Sequence, residues 1–528
     1  MNMYTSWSKL SCQLIFLSLT TLFTFQSGTT VSANPVNWIG PNNGEWDVAS
    51  NWSDNAVPTS TDDVIDNLTN TSYVGDSATQ TTVASSFKIN SLANTGGGGI
   101  INEYSGSLNI VGNLTNTNSQ ITNIGDYDLI GGVSDVLSNI YLGGNLTNSN
   151  GTIESTDGAI FSMTGGSGSN SVINQNNSLI EAAGQSVDYQ AGTIYLGDSN
   201  GYNYLSSIDN ETNSTIEGYN GGNIDILSAS TDNASGCTIE ATGENVDGFS
   251  SIVNFNSVSA PDNPMPGNDI TNNGTILAAK SGQINQEPSN GGSVTFTNGS
   301  TGTLEVTDLY SSITLNLSSP LVNTGDIMVL NQGTLNVNQD INQSAGLTKV
   351  NSNLILQTST SSGSVLQNFN LNGGVLDGIN GILTGNVIQN GGTFNPGEDP
   401  ADFTISGNYD LSGGTLQVDI ASLSSYDELL VNGSSDLSGG TLNLDFIDGF
   451  VPQNGETFDF LQSTGGITGN FADFTSNLSG GSYSFNNGIL TIDGAPPVPE
   501  SGSLPSMLLL LAPSRILALR KRRQITSY

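Results

Sequence analysis

The stretch Asp410-Leu-Ser-Gly-Gly-Thr-Leu-Gln-Val-Asp419 decides the fold, because it returns 26 residues later almost unchanged. The second copy reads Asp436-Leu-Ser-Gly-Gly-Thr-Leu-Asn-Leu-Asp445, and eight of ten residues are identical. Glycine supplies the backbone angles of a tight turn. The alternation that follows points one face of a short strand inward and the other outward. A turn-and-strand unit repeated in this way predicts a stacked β-solenoid.

Shorter copies of the same unit occur upstream. They are Asn150-Gly-Thr-Ile153, Ala191-Gly-Thr-Ile194, Asn273-Gly-Thr-Ile276, Gln332-Gly-Thr-Leu335 and Gly391-Gly-Thr-Phe394. Their spacing scatters from about 18 to 41 residues, and no sustained 3.6-residue periodicity accompanies them. Asparagine-rich runs such as Ile173-Asn-Gln-Asn-Asn177 are expected to stack as side-chain ladders between turns. The pattern therefore predicts an all-β, right-handed parallel β-helix.

Composition bounds the functions that the chain can have. It carries 9 Lys and Arg, 47 Asp and Glu and no histidine, for a net charge of −38. Between the leader and the last fourteen residues only Lys88, Lys280 and Lys349 are basic. Nucleic acid would be repelled by such a surface. The charge favours solubility outside the cell, and calcium binding by acidic surfaces is the alternative.

The two ends of the chain differ from its body. Residues 1–33 have a basic start at Lys9, a short apolar stretch and a small-residue site, which predicts a secretory signal cleaved after Ala33. The next segment holds Trp38, Trp46 and Trp52. A solenoid end exposes an unpaired strand edge that must be covered, so these tryptophans are predicted to form a cap. A sugar-stacking platform is the other interpretation.

The predicted organisation has five parts. They are a signal peptide (1–33), a Trp-rich cap (34–80), solenoid repeats (81–400), C-terminal solenoid turns (401–495) and a tail (496–528). The tail combines a proline linker, an apolar run predicted to form a short helix, and a basic cluster.

Two resemblances add to this description. Residues 401–494 resemble the last turns of bacterial autotransporter passengers. The tail resembles the PEP-CTERM sorting signal of exopolysaccharide-producing Gram-negative bacteria, although Ser501 replaces the second proline and Pro513 interrupts the apolar run. The matching residues are Val498, Pro499 and Glu500 in the motif and Arg520, Lys521, Arg522 and Arg523 in the basic cluster. The resemblance implies cutting by a sorting protease near the motif and contact with the membrane only through this segment before processing.

Few residues offer chemistry. Without histidine the chain cannot build a Ser-His-Asp or Cys-His nucleophile or most zinc sites. Carboxylates are plentiful, so a glycosidase with paired carboxylates stays open, but no Asp or Glu stands out by context. The stretch Gly165-Gly-Ser-Gly-Ser-Asn-Ser-Val-Ile173 resembles one calcium-binding nonapeptide, yet such sites need consecutive copies. Cys237, alone in the mature chain, is expected to fill a small apolar position.

These observations predict a protein exported through the Sec pathway that is not an enzyme and needs no cofactor. Its role would be structural or adhesive, at the cell surface or in the extracellular matrix, with polysaccharide or other surface components as partners. The first alternative is a carbohydrate-active glycosidase. The second is an autotransporter passenger-like adhesin, which is less favoured because no series of amphipathic membrane-barrel strands follows residue 495.

Overall fold

The computed structural model describes residues 34–74, 86–103, 106–125, 138–164, 169–184, 191–197, 204–244, 248–255, 267–286, 293–397 and 399–494. In this part of the chain short strands follow one another in the order first, second and third sheet, and each such round is called a coil. Strands of successive coils pair in parallel, so the chain forms a three-sided parallel β-helix. The predicted all-β solenoid is therefore confirmed. The predicted C-terminal helix lies outside the described residues.

The first sheet contains seventeen strands. They are Asn34–Asn37, Asp62–Asp66, Ser91–Asn94, Leu114–Thr117, Leu146–Ser149, Ser171–Gln175, Ser207–Asn210, Ser230–Asn233, Asp269–Asn272, Thr295–Asn298, Leu321–Asn323, Ile341–Gln343, Asn368–Leu371, Asn386–Gln389, Tyr409–Leu411, Ser435–Leu437 and Ile467–Gly469.

The second sheet runs beside it. Its parallel strands are Gly44–Glu45, Thr71–Val74, Gly99–Asn102, Gln120–Ile124, Thr152–Thr156, Leu179–Ala183, Thr215–Tyr219, Thr238–Thr242, Thr275–Ala279, Thr303–Val306, Asp326–Val329, Leu347–Val350, Val375–Asp377, Thr393–Asn395, Thr415–Ser422, Thr441–Phe446 and Asp473–Ser476. The third sheet has Ser86–Ile89, Ser107–Ile110, Asn139–Leu142, Ile160–Met163, Thr193–Leu196, Asn223–Ile226, Ile252–Phe255, Gln283–Gln286, Ser312–Leu315, Thr334–Val337, Asn353–Thr360, Gly381–Thr384, Asp402–Ile405, Glu428–Val431 and Leu461–Ser463.

The remaining elements depart from the parallel stack. Gly363–Leu366 pairs antiparallel with the end of Asn353–Thr360, and Ser425–Tyr426 does so with Thr415–Ser422. Thr457–Asp459, Ser482–Asn486 and Ile489–Gly494 form a small antiparallel sheet near the C-terminal end. Among the described residues the helical structure is a single 3-10 turn at Ala49–Asn51, and no helix in this part of the chain is long and apolar enough to cross a membrane.

The 26-residue repeat that begins at Asp410 corresponds to one coil. Asp410 pairs with Asp436 in the first sheet, and Thr415 pairs with Thr441 in the second. The shorter units mark strand starts at two different corners. Thr152–Thr156 begins a second-sheet strand, whereas Thr193–Leu196 begins a third-sheet strand. Mixing two kinds of corner is one reason that the spacing of the units scatters.

Close approach between coils explains the glycine of each unit. A Cβ atom on Gly192 would lie 1.8 Å from the carbonyl oxygen of Ser155, and one on Gly274 would lie 2.4 Å from that of Cys237. Both oxygens belong to the preceding coil. Distances under 3.0 Å to backbone atoms leave no room for a side chain, so the sequence places glycine where one coil turns over another.

Inward positions form columns of stacked apolar side chains. In the second sheet Ile121, Ile153 and Ile180 are in register and buried, and the column continues through Ile216, Ile239 and Ile276. Cys237 is also buried, as expected for a small apolar position. Burial of alternate residues along every coil is the main stabilising contribution. Parallel pairing continues across residues 80 and 400, where the predicted segments meet.

A ladder of buried amides occupies the last or the last but one position of ten first-sheet strands. We call it the asparagine ladder; it comprises Asn94, Asn116, Asn148, Asn174, Asn210, Asn233, Asn272, Asn298 and Asn323 and ends on Gln343. Each Nδ2 donates to the next side-chain oxygen at 2.8–3.0 Å. The expectation of stacked asparagines is thus confirmed, and Asn174 comes from the run quoted for it. The ladder satisfies amides that would otherwise be costly to bury.

Candidate functional site

The three predicted tryptophans lie together at the N-terminal end and are at most 1% exposed. The rings of Trp38 and Trp52 meet edge to face with centroids 5.0 Å apart, and those of Trp46 and Trp52 are 5.1 Å apart. Trp52 Nε1 donates to the Trp46 carbonyl at 2.8 Å. Buried rings offer no face to a sugar, so the sugar-stacking interpretation is wrong for them. Their packing is that of a cap.

The other predicted site residues belong to the two ends of the chain. Ala33 at the expected cleavage point and the tail residues Val498, Pro499, Glu500, Arg520, Lys521, Arg522 and Arg523 lie outside the described residues. The nonapeptide-like stretch 165–173 is described only from residue 169. There Asn170 Nδ2 donates to the Gly143 carbonyl at 2.9 Å, which is a contact between coils.

A row of carboxylates crosses the outer face of the second sheet. Glu154, Glu181, Glu217 and Glu240 occupy the same register position in four successive coils, and we call them the glutamate row. Neighbouring strands are ~4.8 Å apart, so the four side chains leave the sheet as close neighbours. Leu277 takes the position in the next coil, and Glu305 takes it in the one after.

Burial and mutual repulsion alter the acidity of this row. Burial, and to a smaller extent the charges of Glu217 and Glu154, raise the pKa of Glu181 from 4.5 to about 7. Burial also raises the pKa values of Glu154 and Glu217. A hydrogen bond from Gln120 partly offsets the increase at Glu154, and a hydrogen bond from Thr242 and the charge of Lys280 partly offset it at Glu217. Thr242 Oγ1 donates to Glu217 Oε1 at 3.0 Å. Glu181 is therefore partly protonated near neutral pH.

A shallow groove of about 300 Å³ lies beside the row, where the first sheet turns into the second. We call it the polar groove; its lining is Thr69, Thr71, Gly97, Gly98, Gly99, Asn118, Ser119, Gln120, Asn150, Gly151 and Thr152. Every lining side chain is a hydroxyl, an amide or glycine, and none is charged. Asn118 and Asn150 hold left-handed backbone conformations at this corner, with φ of 54° and 51°, which asparagine tolerates better than most residues. The groove thus offers neutral hydrogen-bonding groups from several coils.

A second group of carboxylates lies deeper, near the C-terminal end. Asp427 accepts hydrogen bonds from the backbone N–H of Asp419 at 2.8 Å and of Ala401 at 3.0 Å. Burial raises the pKa of Asp427 to about 8 and that of Asp419 to about 6. Asp377, also buried, forms an ion pair with Lys349 at 3.6 Å. These carboxylates tie coils together, and Asp427 fastens the loop at Ala401 to the next coil.

The described residues contain no group of three or more acidic, cysteine or histidine side chains arranged to hold a metal ion. The chemistry that they offer is hydrogen bonding by hydroxyls and amides, together with proton transfer by adjacent carboxylates.

Comparison with models of known protein families finds no match, and no curated protein matches the chain.

Sequence reasoning missed the glutamate row, although a pattern for it exists. The row sits in Thr152-Ile-Glu154, Leu179-Ile-Glu181, Thr215-Ile-Glu217 and Thr238-Ile-Glu240. Aligning the Ile-Glu pair at the start of each of these strands would have found the four glutamates, although only Glu154 follows a Gly-Thr-Ile unit. The polar groove has no comparable pattern, because its residues come from separate strands and turns.

Proposed function

We propose that this chain is an exported structural and adhesive protein of the cell surface or extracellular matrix that associates with exopolysaccharide. The observation that carries the proposal is the polar groove, because uncharged hydroxyls and amides suit the hydroxyl groups of a sugar chain. A volume of about 300 Å³ is at the lower end of the range for small-ligand pockets. Gln120 lies in this groove and also meets Glu154, so the groove and the glutamate row form one continuous surface.

The architecture supports a structural role. Seventeen strands at a spacing of ~4.8 Å give a rod of ~80 Å. Such a rod presents the same register positions many times along its length, which favours repeated weak contacts with a polymer. A net charge of −38 disfavours nucleic acid and other polyanions as partners.

Export and sorting form part of the same proposal. Residues 1–33 would direct secretion by the Sec pathway, and the PEP-CTERM-like tail would be cut by a sorting protease. Intact-mass analysis of the exported protein would determine both cleavage points. A mass that corresponds to the uncut chain in the cytoplasmic fraction would contradict this part of the proposal.

Filling the groove tests the polysaccharide contact. A Cβ atom on Gly99 would have no neighbour closer than Thr71 Oγ1 at 3.6 Å, an ordinary contact. Gly99→Val should therefore fold normally while occupying the groove. We expect it to bind extracted exopolysaccharide more weakly than the original protein in a co-sedimentation assay. Thr303→Val, in the same outward column but far from the groove, is the matched control. Equal binding by both variants and the original would refute the groove as the contact.

A carboxylate-dependent glycosidase is a second candidate because of the glutamate row. Retaining enzymes place two carboxyl groups about 5–5.5 Å apart, with one of them protonated. Glu181 has the raised pKa of such an acid, and Glu217 lies on the adjacent strand. Incubating the full chain with a panel of polysaccharides separates the two functions. Turnover that disappears in Glu181→Gln would establish the glycosidase, whereas no turnover by the original protein would leave the structural role.

A further inference from the structure

Large exposed rings lie along one corner of the solenoid, where strands of the second sheet end. The side chains of Tyr219, Phe249 and Tyr310 are 40%, 55% and 74% exposed, and we call them the aromatic edge. Phenylalanine is normally among the most buried residues and tyrosine is intermediate, but both carry large apolar areas that folding usually removes from water. Three of them on one corner of a protein with 7% aromatic residues therefore need an explanation.

The strand register places these rings in neighbouring coils. Tyr219 ends the strand of Glu217, and the pairing of Asn223 with Ile252 puts Phe249 at the same corner one coil later. The next coil contributes Lys280 at the corner, and the coil after it contributes Tyr310. Three steps of ~4.8 Å separate Tyr219 from Tyr310, so the edge extends for ~14 Å along the solenoid axis.

The backbone at Tyr310 is unfavourable for a tyrosine. Its φ is +67°, in the left-handed region that glycine and asparagine occupy more readily. Most of its side chain is in solvent, so burial does not offset that cost. A bulky, exposed residue held in such a conformation is a feature that points to a function beyond folding.

The surroundings of the edge restrict what could cover it. Polar residues, among them Asn220 and Lys280, lie between the rings, whereas the core of a protein–protein interface is depleted of charged residues. Leu309, beside Tyr310, is also exposed. The glutamate row runs alongside, because Glu217 lies two residues before Tyr219 on the same strand. Its carboxylates would repel an anionic polymer or an anionic lipid surface, and they would accept hydrogen bonds from hydroxyl or amino groups.

We propose that the aromatic edge and the glutamate row together bind a glycan chain built from neutral or amino sugars, laid along the solenoid axis. The rings would stack on the apolar faces of successive sugars, and the carboxylates would accept hydrogen bonds from the hydroxyl or ammonium groups of those sugars. This inference rests on the proposed association with polysaccharide; it names the chemical class of the polymer and adds a second contact surface beyond the polar groove.

The test uses the full chain and three oligosaccharide probes in isothermal titration calorimetry. They are a neutral β-glucan oligomer, a chitosan oligomer and an oligogalacturonate. The variant is the double substitution Tyr219→Thr and Tyr310→Asn. Threonine is the residue in register with Tyr219 in the next coil, and asparagine suits the left-handed backbone at position 310. Both changes should therefore preserve the fold. Val365→Thr removes an equally exposed apolar side chain elsewhere and is the control.

We expect the original protein to bind the neutral or the amino-sugar probe. The double variant should bind it roughly tenfold or more weakly, since two ring contacts are lost, while Val365→Thr should bind as before. Unchanged affinity in the double variant, or binding of oligogalacturonate alone, would overturn the inference and leave the proposed function standing. No binding of any of the three probes or of extracted exopolysaccharide by the original protein would overturn both.

Discussion

Replacing Asn148 with alanine should destabilise the centre of the asparagine ladder by about 3 kcal/mol. Its Oδ1 accepts from Asn116 Nδ2 at 2.9 Å. Its two amide protons are shared among the carbonyl of Gly151, Oδ1 of Asn174 and the carbonyl of Leu179, at 3.0–3.1 Å. One accepted and two donated hydrogen bonds at about 1 kcal/mol each give that total. Buried partners left unsatisfied would add to it.

Hydrogen exchange followed by mass spectrometry is the suitable assay. Each coil contacts only its neighbours, so a solenoid need not unfold in one step, and a local free energy is more meaningful than a global one. Amides of the strands Leu114–Thr117 and Ser171–Gln175, on either side of the substitution, should exchange faster by the factor that corresponds to about 3 kcal/mol. Strands near the C-terminal end should be unchanged.

An asparagine on the outer face of the same sheet provides the matched control. Asn370 Nδ2 donates to Asn342 Oδ1 at 2.8 Å but is partly exposed, so Asn370→Ala should cost less than about 1 kcal/mol. If Asn148→Ala disturbs exchange no more than Asn370→Ala does, the ladder is not a source of stability and the reasoning fails.

Three further predictions concern the row, the cap and the cysteine. The pKa of Glu181 is about 7 in the folded protein, against 4.5 for an ordinary glutamate in the unfolded chain. Its contribution to stability is therefore fully present below about pH 4.5 and is lost as the pH rises through 7. Glu181→Gln should therefore be more stable than the original protein at pH 8 and similar at pH 4, as urea denaturation at both values would show. Trp52→Ala should cost roughly 3–5 kcal/mol at the cap and promote association through the opened strand edge, which light scattering would detect; a monomeric variant of unchanged stability would contradict the cap. Burial raises the pKa of Cys237, so Ellman's reagent should react with its thiol only after denaturation, and rapid labelling of the native protein would contradict its burial.

The fold was predictable because its determinants are local and repeated. Turn glycines and alternating apolar residues in the stretch Asp410–Asp419 specify both the strand and the approach of the next coil, so a copy 26 residues away becomes the next layer. The asparagine run at 173–177 likewise indicated a ladder. In both cases a single coil contains the information that determines its contacts with the next one.

The candidate site was not predictable in the same way because it is assembled across coils of unequal length. Glu181 and Glu217 are adjacent in space but 36 residues apart in sequence, whereas Glu217 and Glu240 are 23 apart. The pKa of Glu181 is raised mainly by burial and further by its neighbours in the coils before and after it. The register between strands of successive coils decides which outward residues become neighbours. That register is set by the inward residues, which the outward residues do not contact.

This separation explains how one chain keeps a regular interior and a varied surface. Successive members of the asparagine ladder are 22 residues apart at Asn94 and 39 apart at Asn233, yet both donate to the next member at 2.8–3.0 Å. The extra residues leave the stack at the corners, where lengthening a loop costs little free energy. Corners can therefore gain or lose side chains such as Phe249 without shifting a buried contact. Recognition by this protein should accordingly reside at its corners and on its outward columns, and the ladder should serve to fix the spacing at which those groups meet a polymer.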